Sequence, residues 1–514
     1  MSWTRRFLIT GVLFLLSTPL SAQMANNPWT QSYQAVLFGD QQVSHDPVTL
    51  VMPGVAQMSG FSSYLENPAS AALVEQSFGS FGIAYRSVSQ STAFLNQSHN
   101  LGDNQTGVSN IGFAYRFPTV QGRMVWGAGY SQHSYYNRAM GIGGFNSGSS
   151  ITDFFKIPNS EYADVAFDAY AIDYGDEFEN WDESILRVGF ENYGEYLGID
   201  QEGEIYQRGM AGDYSTFLAT EFQENLMVGV SIGLRSGRYR YSRTFLEVDR
   251  EGQYNGLIAD SDGDDEPDTD IDSILLNDEV QSEFVSFALR AGAIYQISDR
   301  VSIGASYTFP SRLSVEEELD GRIISTMDNL VEFEEELRTS FSYTVHSPGR
   351  VHLGVALNPL EKVSLSLSGE YVDHSGTDVG FDAELFEQER NENRFISDHY
   401  RAVWNFRGGV AVDLADDITL RGGYGVRPSR FATGGVREDQ FSLGLGMTVS
   451  DAARLEIGAQ YSRWRDEFSV VYSYTDYDYS TLPDEPPVPR TRDEFANQDG
   501  NRIQVLATFQ LFFN

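Results

Sequence analysis

The stretch Val363-Ser364-Leu365-Ser366-Leu367-Ser368-Gly369-Glu370-Tyr371 decides the fold, because large apolar residues alternate with small or polar ones. Successive side chains of a β-strand point to opposite faces, so one face of this segment is apolar and the other is polar. The same alternation recurs in residues 301–309 and 441–449. A soluble β-sandwich also alternates, but the recurrence and the aromatic residues near strand ends favour strands that lie between lipid and a lumen.

The N-terminus has the pattern of a secretory signal peptide. Arg5 and Arg6 precede the apolar run 7–16, and we predict cleavage after Ala22. The run is too short for a membrane-spanning helix, which needs about 20 residues. The chain has no cysteine, which excludes a disulfide framework and a lipid anchor on an N-terminal Cys. We therefore predict export, with residues 1–22 as the signal peptide.

The composition is strongly acidic. The formal net charge is −38, and Lys156 and Lys362 are the only lysines among the 35 basic residues. Nucleic-acid binding needs clusters of Lys and Arg against the phosphates, and the sequence has none, so we expect no nucleic-acid partner. The acid excess fits a solvated extracellular surface.

Fourteen antiparallel strands are predicted, joined alternately by short turns that face the periplasm and long polar loops that face outward. The predicted strands are 78–94, 108–118, 123–139, 214–222, 225–248, 279–297, 300–316, 330–357, 362–375, 399–413, 417–428, 439–449, 453–475 and 500–513. The predicted outer loops include 95–107, 140–213, 249–278, 376–398 and 476–499. Aromatic residues expected at the membrane interface are Tyr295, Tyr307, Phe309, Tyr371, Tyr424 and Tyr461. A bend is expected at Ser347-Pro348-Gly349, because proline cannot donate to a strand ladder.

Residues 23–77 precede the first strand and show little alternation. Their apolar residues, Val48, Leu50, Val55 and Phe61 among them, are too many for a solvated periplasmic tail, which is the alternative. A barrel of fourteen strands leaves a wide lumen unless something fills it. We predict an all-β fold, a transmembrane barrel formed by residues 78–514, with residues 23–77 inside its lumen as a plug.

Asn67-Pro68-Ala69, within residues 66–73, resembles the hatch motif that precedes the first strand in the FadL and TodX family of outer-membrane transporters. An ordinary turn is the alternative, since Asn-Pro favours turn initiation. The resemblance implies transport of long-chain fatty acids or other hydrophobic small molecules through a plugged barrel. It implies hatch or ligand-binding roles for Phe61, Tyr64, Leu65, Asn67, Pro68 and Ala69.

The resemblance also implies that the ligand can leave sideways through an irregular strand. Gly127 and Gly129 in the third strand are the predicted position, because strand glycines often mark bulges, although tight packing explains them equally well. Expected partners are a hydrophobic ligand, outer-membrane lipids and the barrel assembly machinery, for which the apolar last strand is a signal. The protein is expected to be a monomer in the bacterial outer membrane.

Asp260, Asp262, Asp264 and Asp268 place carboxylates at alternate positions, as in a calcium-binding loop. A solvated acidic loop is the alternative. The predicted function requires no cofactor, and calcium in this extracellular loop is the one metal ion expected.

Other function classes are less well supported. His133-Ser134, His346-Ser347 and His374-Ser375 are adjacent pairs, but neighbours in a strand point to opposite faces, so we expect no nucleophile and base pair and no enzyme. Two rival functions remain. One is a secretion-associated FadL-like scaffold or shuttle that binds a protein cargo, and the other is a general diffusion porin with an open, charged lumen. The Ser and Gly residues predicted on the lumen face disfavour the porin.

Overall fold

The structure is a computed structural model. It describes residues 27–42, 46–157, 161–173, 183–186, 196–256, 259–264, 266–478 and 488–513. The predicted signal peptide, residues 1–22, lies outside the described residues.

Fourteen antiparallel strands form a closed barrel, as predicted. They are β1 Ser77–Phe94, β2 Gln97–Arg116, β3 in two segments Met124–Tyr135 and Arg138–Asn146, β4 Ile199–Gln223, β5 Leu226–Val248, β6 Ile271–Ser298, β7 in two segments Val301–Thr308 and Ser311–Met327, β8 in two segments Glu332–Ser347 and Arg350–Leu360, β9 Val363–Asp373 continued by Asp378–Gly380, β10 Ala402–Ala415, β11 Ile418–Arg427, β12 Glu438–Ser450, β13 Ala453–Asp478 and β14 Val488–Phe513. β1 pairs with β14 from Ser77 opposite Phe513 to Ala93 opposite Asn497, which closes the sheet. Closure satisfies the backbone groups of the edge strands, as the interior of a bilayer requires.

An apolar belt surrounds the barrel. On β5, Val230, Ile232 and Leu234 point outward and are 47%, 57% and 39% exposed, whereas Ser231 between them and Arg235 after them are buried. Of the aromatic residues expected at the interface, all but Tyr371 are well exposed. An apolar outside around a polar inside is the arrangement of a transmembrane barrel of the bacterial outer membrane.

None of the helices among the described residues has the length and apolar character that crossing a membrane requires.

Several strands extend further from the membrane than the sequence predicted. The predicted loop 95–107 is wrong, because β2 starts at Gln97 and the turn is Leu95-Asn96, where both residues have positive φ (46° and 63°). The predicted loops 140–213, 249–278 and 476–499 also begin or end in strand. Beyond the membrane both faces of a strand contact polar surroundings or other loops, so the alternation that marks a strand in lipid is lost.

The predicted bend in β8 is confirmed. β8 is interrupted at Pro348-Gly349, and the neighbouring β7 is interrupted at Phe309-Pro310. Below the bend β8 pairs with the first segment of β7, and above it with the second. The barrel wall therefore bends across two adjacent strands.

The plug runs through the lumen from the outer end toward the periplasmic end. It consists of α1 Gln31–Gly39, α2 Pro47–Val51 and two 3-10 turns, Phe61–Leu65 and Pro68–Leu73. Every residue of α1 is buried. Asp46 caps α2, and its Oδ1 accepts a hydrogen bond from the Val48 N–H at 2.9 Å.

The wall fits the plug because it carries glycine where the plug approaches most closely. A Cβ on Gly304 would lie 2.0 Å from the carbonyl oxygen of Val55, and one on Gly292 would lie 2.1 Å from Asn67 Oδ1. Any side chain at these positions would displace the plug. The predicted plug inside the barrel is thus confirmed.

Three helices lie at the outer end, α3 Ile151–Phe155, α4 Tyr162–Asp168 and α5 Phe386–His399. The sequence did not predict them. Side chains of α3, α4 and α5 join α1 in one apolar core with the outer ends of β4 to β8. Glu392 of α5 accepts a hydrogen bond from the Ser32 N–H of α1 at 2.9 Å, so the extracellular surface contacts the plug directly.

Candidate functional site

The aromatic residues of the predicted hatch pack against the barrel wall. Tyr64 stacks on Phe217 of β4 with a ring-centroid distance of 4.6 Å, and Phe61 packs edge-on against Tyr64. The Phe61 ring fills the space above Gly129, where a Cβ would lie 2.8 Å from it. Leu65, Pro68 and Ala69 are buried beside them. These residues dock the plug, and a ligand-binding role for them stays a prediction.

Asn67 is fully buried and uses both ends of its amide. Its Nδ2 donates to the carbonyl oxygens of Val55 at 2.7 Å and Ala293 at 3.1 Å. Its Oδ1 accepts from the Ala69 N–H at 3.0 Å. Asn67 therefore ties two parts of the plug to each other and to β6 of the wall.

The predicted irregularity in the third strand is real, but its predicted position at Gly127 and Gly129 is wrong. Gly127 pairs regularly with Ala114 and Gly129 with Gly112. The register with β4 shifts between Gln132 and Ser134 instead, and the strand breaks after Tyr135. The glycines serve close packing, because a Cβ on Gly127 would lie 2.3 Å from the Phe217 ring.

Beyond this bulge β3 leaves its neighbour β2. Backbone pairing between them runs from Arg116 opposite Val125 to Asn110 opposite Ser131, and the described residues show none above that point. The outer segment of β3 instead crosses the inner face of the β1–β2 hairpin, where the Ala139 N–H donates to Gln90 Oε1 at 2.6 Å. The wall thus contains an unpaired seam between residues 97–109 and 132–146, here called the side gap.

Hydrogen bonds to one carboxylate connect the two sides of the side gap. Asp103 of β2 accepts two hydrogen bonds from the Arg208 guanidinium of β4, at 2.9 and 3.1 Å. It also accepts one from Asn137 Nδ2, at the break in β3, at 2.5 Å. Side-chain contacts at Asp103 therefore replace the missing backbone pairing.

The plug contacts the side gap directly. Ser134 Oγ donates to the Asp40 carbonyl oxygen at 3.0 Å, and Gln42 Nε2 donates to the Tyr135 carbonyl oxygen at 3.0 Å. Asp40 is in turn fixed to the opposite wall by Arg427 at 2.6 Å and Arg350 at 3.2 Å. Burial alone would raise the pKa of Asp40, but the two guanidinium groups outweigh it and hold that pKa well below its usual range. Residues 40–42 thus connect the bend of β8 to the side gap.

His133 and Ser134 contact each other, contrary to the expectation from strand geometry. The bulge brings His133 Nδ1 to 2.8 Å from Ser134 Oγ, while His133 Nε2 lies 3.2 Å from Asp213 Oδ1. Asp213 also pairs with Arg290, and Ser134 is fully buried with its hydroxyl committed to Asp40. These contacts hold the bulge and the plug together, and they leave Ser134 poorly placed to act as a nucleophile.

A cavity of about 120 Å³ lies in the lumen beside the plug and is here called the lumen cavity. Its lining includes α1, the break in β3 and the turn 428–437. A smaller cavity of about 50 Å³ shares Gln42, Asn405 and Arg427 with it and extends to Leu65. The expectation that the lumen face is mainly Ser and Gly is incomplete, because paired charges such as Arg138 with Glu467 (2.5 Å) and Arg502 with Glu438 (2.7 Å) also line it.

A larger groove, of about 940 Å³, lies on the outside of the barrel. Tyr295, Leu353, Leu367 and Phe406 line it, and all four belong to the exposed apolar belt. Acyl chains of the membrane cover this surface, so we do not assign the groove to the transport path.

The predicted calcium loop is only partly assembled. Carboxylate oxygens of Asp260, Asp262 and Asp264 lie within 4.8 Å of one another. Asp268 instead accepts hydrogen bonds from the N–H and hydroxyl groups of Ser261, at 2.9 and 2.8 Å. Calcium binding stays a prediction, with three carboxylates rather than four as its candidate ligands.

No family model and no curated protein matches the sequence. Among solved structures, the chain is similar to a FadL homologue of Pseudomonas aeruginosa, with 13% identity over 92% of this chain and 100% of that chain and a TM-score of 0.49. The toluene transporter TbuX of Ralstonia pickettii has 16% identity over 91% and 98% and a TM-score of 0.48. The toluene transporter TodX of Pseudomonas putida has 13% identity over 91% and 98% and a TM-score of 0.47. The chain is thus similar to FadL-type channels.

Sequence reasoning missed Asp40, Asp103 and Arg430. Asp40 follows an apolar helical stretch, and an acid that interrupts a buried segment is a signal of a buried ion pair. Asp103 had no such signal, because it lies in a polar stretch that looked like a loop. Arg430 is one of many arginines in the sequence, and what distinguishes it is that it lines the lumen cavity.

Proposed function

We propose that the protein carries hydrophobic small molecules across the outer membrane, through the lumen and out of the side gap. The side gap carries the proposal, because it is a break in the backbone pairing of two adjacent strands at a point where the plug contacts the wall. The lower end of the side gap borders the apolar belt at Val108, which is 42% exposed. A hydrophobic compound that leaves sideways at this level passes from the lumen to lipid without crossing the periplasmic water.

The lumen cavity adjoins the side gap. Tyr135, Tyr136 and Asn137 line the cavity, and Asn137 is also the residue that donates to Asp103 across the gap. A ligand in the cavity therefore contacts the residues that close the exit. The plug segment 40–42 contacts both, so movement of the plug and opening of the gap are coupled by the same hydrogen bonds.

The size of the cavity bears on the substrate. Pockets for drug-sized ligands occupy roughly 300–1,000 Å³, whereas a cavity of roughly 150 Å³ is enough for benzene. The lumen cavity, at about 120 Å³, is slightly smaller than that, so a single ring needs a small adjustment of the cavity walls. Long-chain fatty acids, the class that the sequence resemblance implies first, need the side gap or the plug to move.

The plug in the lumen disfavours a general porin, since the two cavities described beside it have volumes of about 120 and 50 Å³. The described parts of the 140–213 region pack into the apolar core with α1, which disfavours a broad cleft for a protein cargo. The transport proposal accounts for both features.

Cross-linking across the side gap tests the route. Because the natural chain has no cysteine, the pair Asp103→Cys with Asn137→Cys can be joined by a short, cleavable thiol cross-linker without side reactions. Joining this pair is expected to stop uptake of radiolabelled toluene or oleate into intact cells, and cleavage is expected to restore it. The control pair Glu318→Cys with Ser340→Cys lies directly opposite in the β7–β8 pairing, away from the gap.

Equal uptake by the two cross-linked pairs would remove the side route. Uptake no faster than in cells that lack the protein would remove the transport proposal itself. Mass spectrometry of ligands extracted from the purified protein would identify the class of compound that it binds.

A further inference from the structure

The charges that line the lumen cavity do not balance. Four arginines line it, Arg138, Arg427, Arg430 and Arg502, against three carboxylates, Asp40, Glu438 and Glu467. Each carboxylate pairs with one of the arginines: Glu467 with Arg138 at 2.5 Å, Glu438 with Arg502 at 2.7 Å and Asp40 with Arg427 at 2.6 Å. Arg430 has no carboxylate partner among the described residues.

The surroundings of Arg430 are aromatic. Its guanidinium lies 5.5 Å from the centre of the Tyr33 ring and 5.9 Å from that of Phe431. Burial raises the pKa of Tyr33, so its phenol is neutral and supplies no countercharge. Burial also lowers the pKa of His374 to about 3, so this histidine adds no positive charge to the cavity. One uncompensated positive charge therefore remains at the cavity wall.

The cavity also has the dimensions and walls of an aromatic-ring site. Tyr33, Tyr136, Phe431, Trp464 and Phe468 are among its lining residues. Its volume of about 120 Å³ is close to the roughly 150 Å³ that suffices for benzene. Aromatic walls favour a ring by stacking and edge-to-face contacts.

We propose that the lumen cavity binds a small aromatic carboxylate, with the ring between the aromatic side chains and the carboxylate on Arg430. The proposal rests on the proposed transport function and narrows its substrate to aromatic acids. A guanidinium offers a planar pair of N–H groups that matches a carboxylate in a bidentate arrangement. The carboxylate of the ligand also neutralises the positive charge of Arg430, which takes part in none of the three ion pairs.

Calorimetry on the purified full-length protein in detergent tests this, with benzoate and benzamide as probes of nearly the same shape. Benzoate is expected to bind about 10 to 100 times more tightly than benzamide at pH 7, the range for a hydrogen-bonded charged group. Arg430→Gln is expected to remove that difference, whereas Arg430→Lys keeps part of it. Acetate, which has the charge without the ring, is expected to compete weakly.

The matched control is Arg437→Gln in the same turn. Arg437 is 57% exposed, pairs with Asp439 and does not line the cavity, so its loss is expected to leave benzoate binding unchanged. Circular dichroism confirms that each variant retains its strands.

Three results would overturn the inference: benzamide binding as tightly as benzoate, benzoate binding unaffected by Arg430→Gln, or acetate competing as well as benzoate. If toluene uptake requires the protein while benzoate does not bind, the inference fails and the transport proposal stands. If benzoate binds through Arg430 but no compound is taken up, the transport proposal fails and the binding site stands.

Discussion

Single polar residues hold the plug in place, and each is buried and hydrogen-bonded. Asn67 joins the plug to β6, and Asp40 joins it to the bend of β8 and to the side gap. Asp46 is buried as the cap of α2, where burial raises its pKa to about 6 although the N–H groups of Val48 and Thr49 lower it. Asp40 and Asp46 thus respond to pH in opposite directions.

Asp46 makes plug docking depend on pH. Its folded pKa, about 6, is above the ordinary value of 3.8, so docking is most favourable below about pH 4 and weakens as pH rises toward 6. The linkage relation gives roughly 3 kcal/mol over this window. Asp40, whose folded pKa is lowered, contributes above its unfolded pKa and loses its contribution only at lower pH. Asp46→Asn keeps an acceptor for the cap and is expected to abolish the dependence between pH 4 and 6, as measured by the hydrogen-exchange protection factors of residues 47–51. Protection factors that are independent of pH in the natural protein would contradict this.

Replacing Asn67 by alanine is expected to loosen the plug and leave the barrel intact. The substitution removes the partners of the Val55 and Ala293 carbonyls and of the Ala69 N–H, and each buried group left without a partner costs about 1–3 kcal/mol. Hydrogen exchange in residues 61–73 is expected to accelerate, and uptake of the transported compound to slow. Asn100→Ala, an exposed asparagine on β2, is the control. Unchanged exchange in residues 61–73 would show that Asn67 does not dock the plug.

At the scale of strands and helices, the sequence predicted the features that depend on contact with lipid. It missed the features that depend on contact with other parts of the chain. The number, order and direction of the strands follow from alternation, because lipid selects one face of every strand. The start of β2 at Gln97 and the helix Phe386–His399 were missed, because neither contacts lipid. The bulge beside His133 depends on contacts with β4 and the plug, which lie far away in the sequence.

The ion pair at the side gap provides a test at this scale. Asp103→Asn weakens the hydrogen bonds from Arg208 and Asn137 that span the gap, but an exposed ion pair contributes only about 0.2–1 kcal/mol to stability. Thermal stability is therefore expected to change little while uptake becomes faster. Glu279→Gln removes a pair with Arg240, also half-exposed on the arginine side and less exposed on the acid side, away from the gap and is the control. Equal uptake rates for the two variants would mean that Asp103 does not restrict the exit.

At the scale of the whole molecule, the inner wall of the barrel is complementary in shape to the plug. The contacts of Gly292 with Asn67 and of Gly304 with Val55 lie on different strands of the wall, so no local pattern in the sequence predicts the fit. The apolar character of residues 46–73 did predict that this segment is buried. The ion pairs of the lumen, such as Asp40 with Arg350, join residues far apart in the chain and could not be assigned from one sequence.

Placing one methyl group on the inner wall tests this fit. A Cβ on Gly304 would lie 2.0 Å from the backbone oxygen of Val55, so Gly304→Ala forces the plug away from β7. A Cβ on Gly422 meets only Val410 at 4.0 Å, which makes Gly422→Ala a matched control in a neighbouring part of the barrel. Because strand pairing does not depend on the plug, both variants are expected to fold and insert. Only Gly304→Ala is expected to raise ion conductance in planar bilayers, since displacing the plug opens a water-filled path. Equal, low conductance in both variants, together with unchanged hydrogen exchange in residues 46–73, would show that the plug tolerates the methyl group and that the glycine is not required for docking.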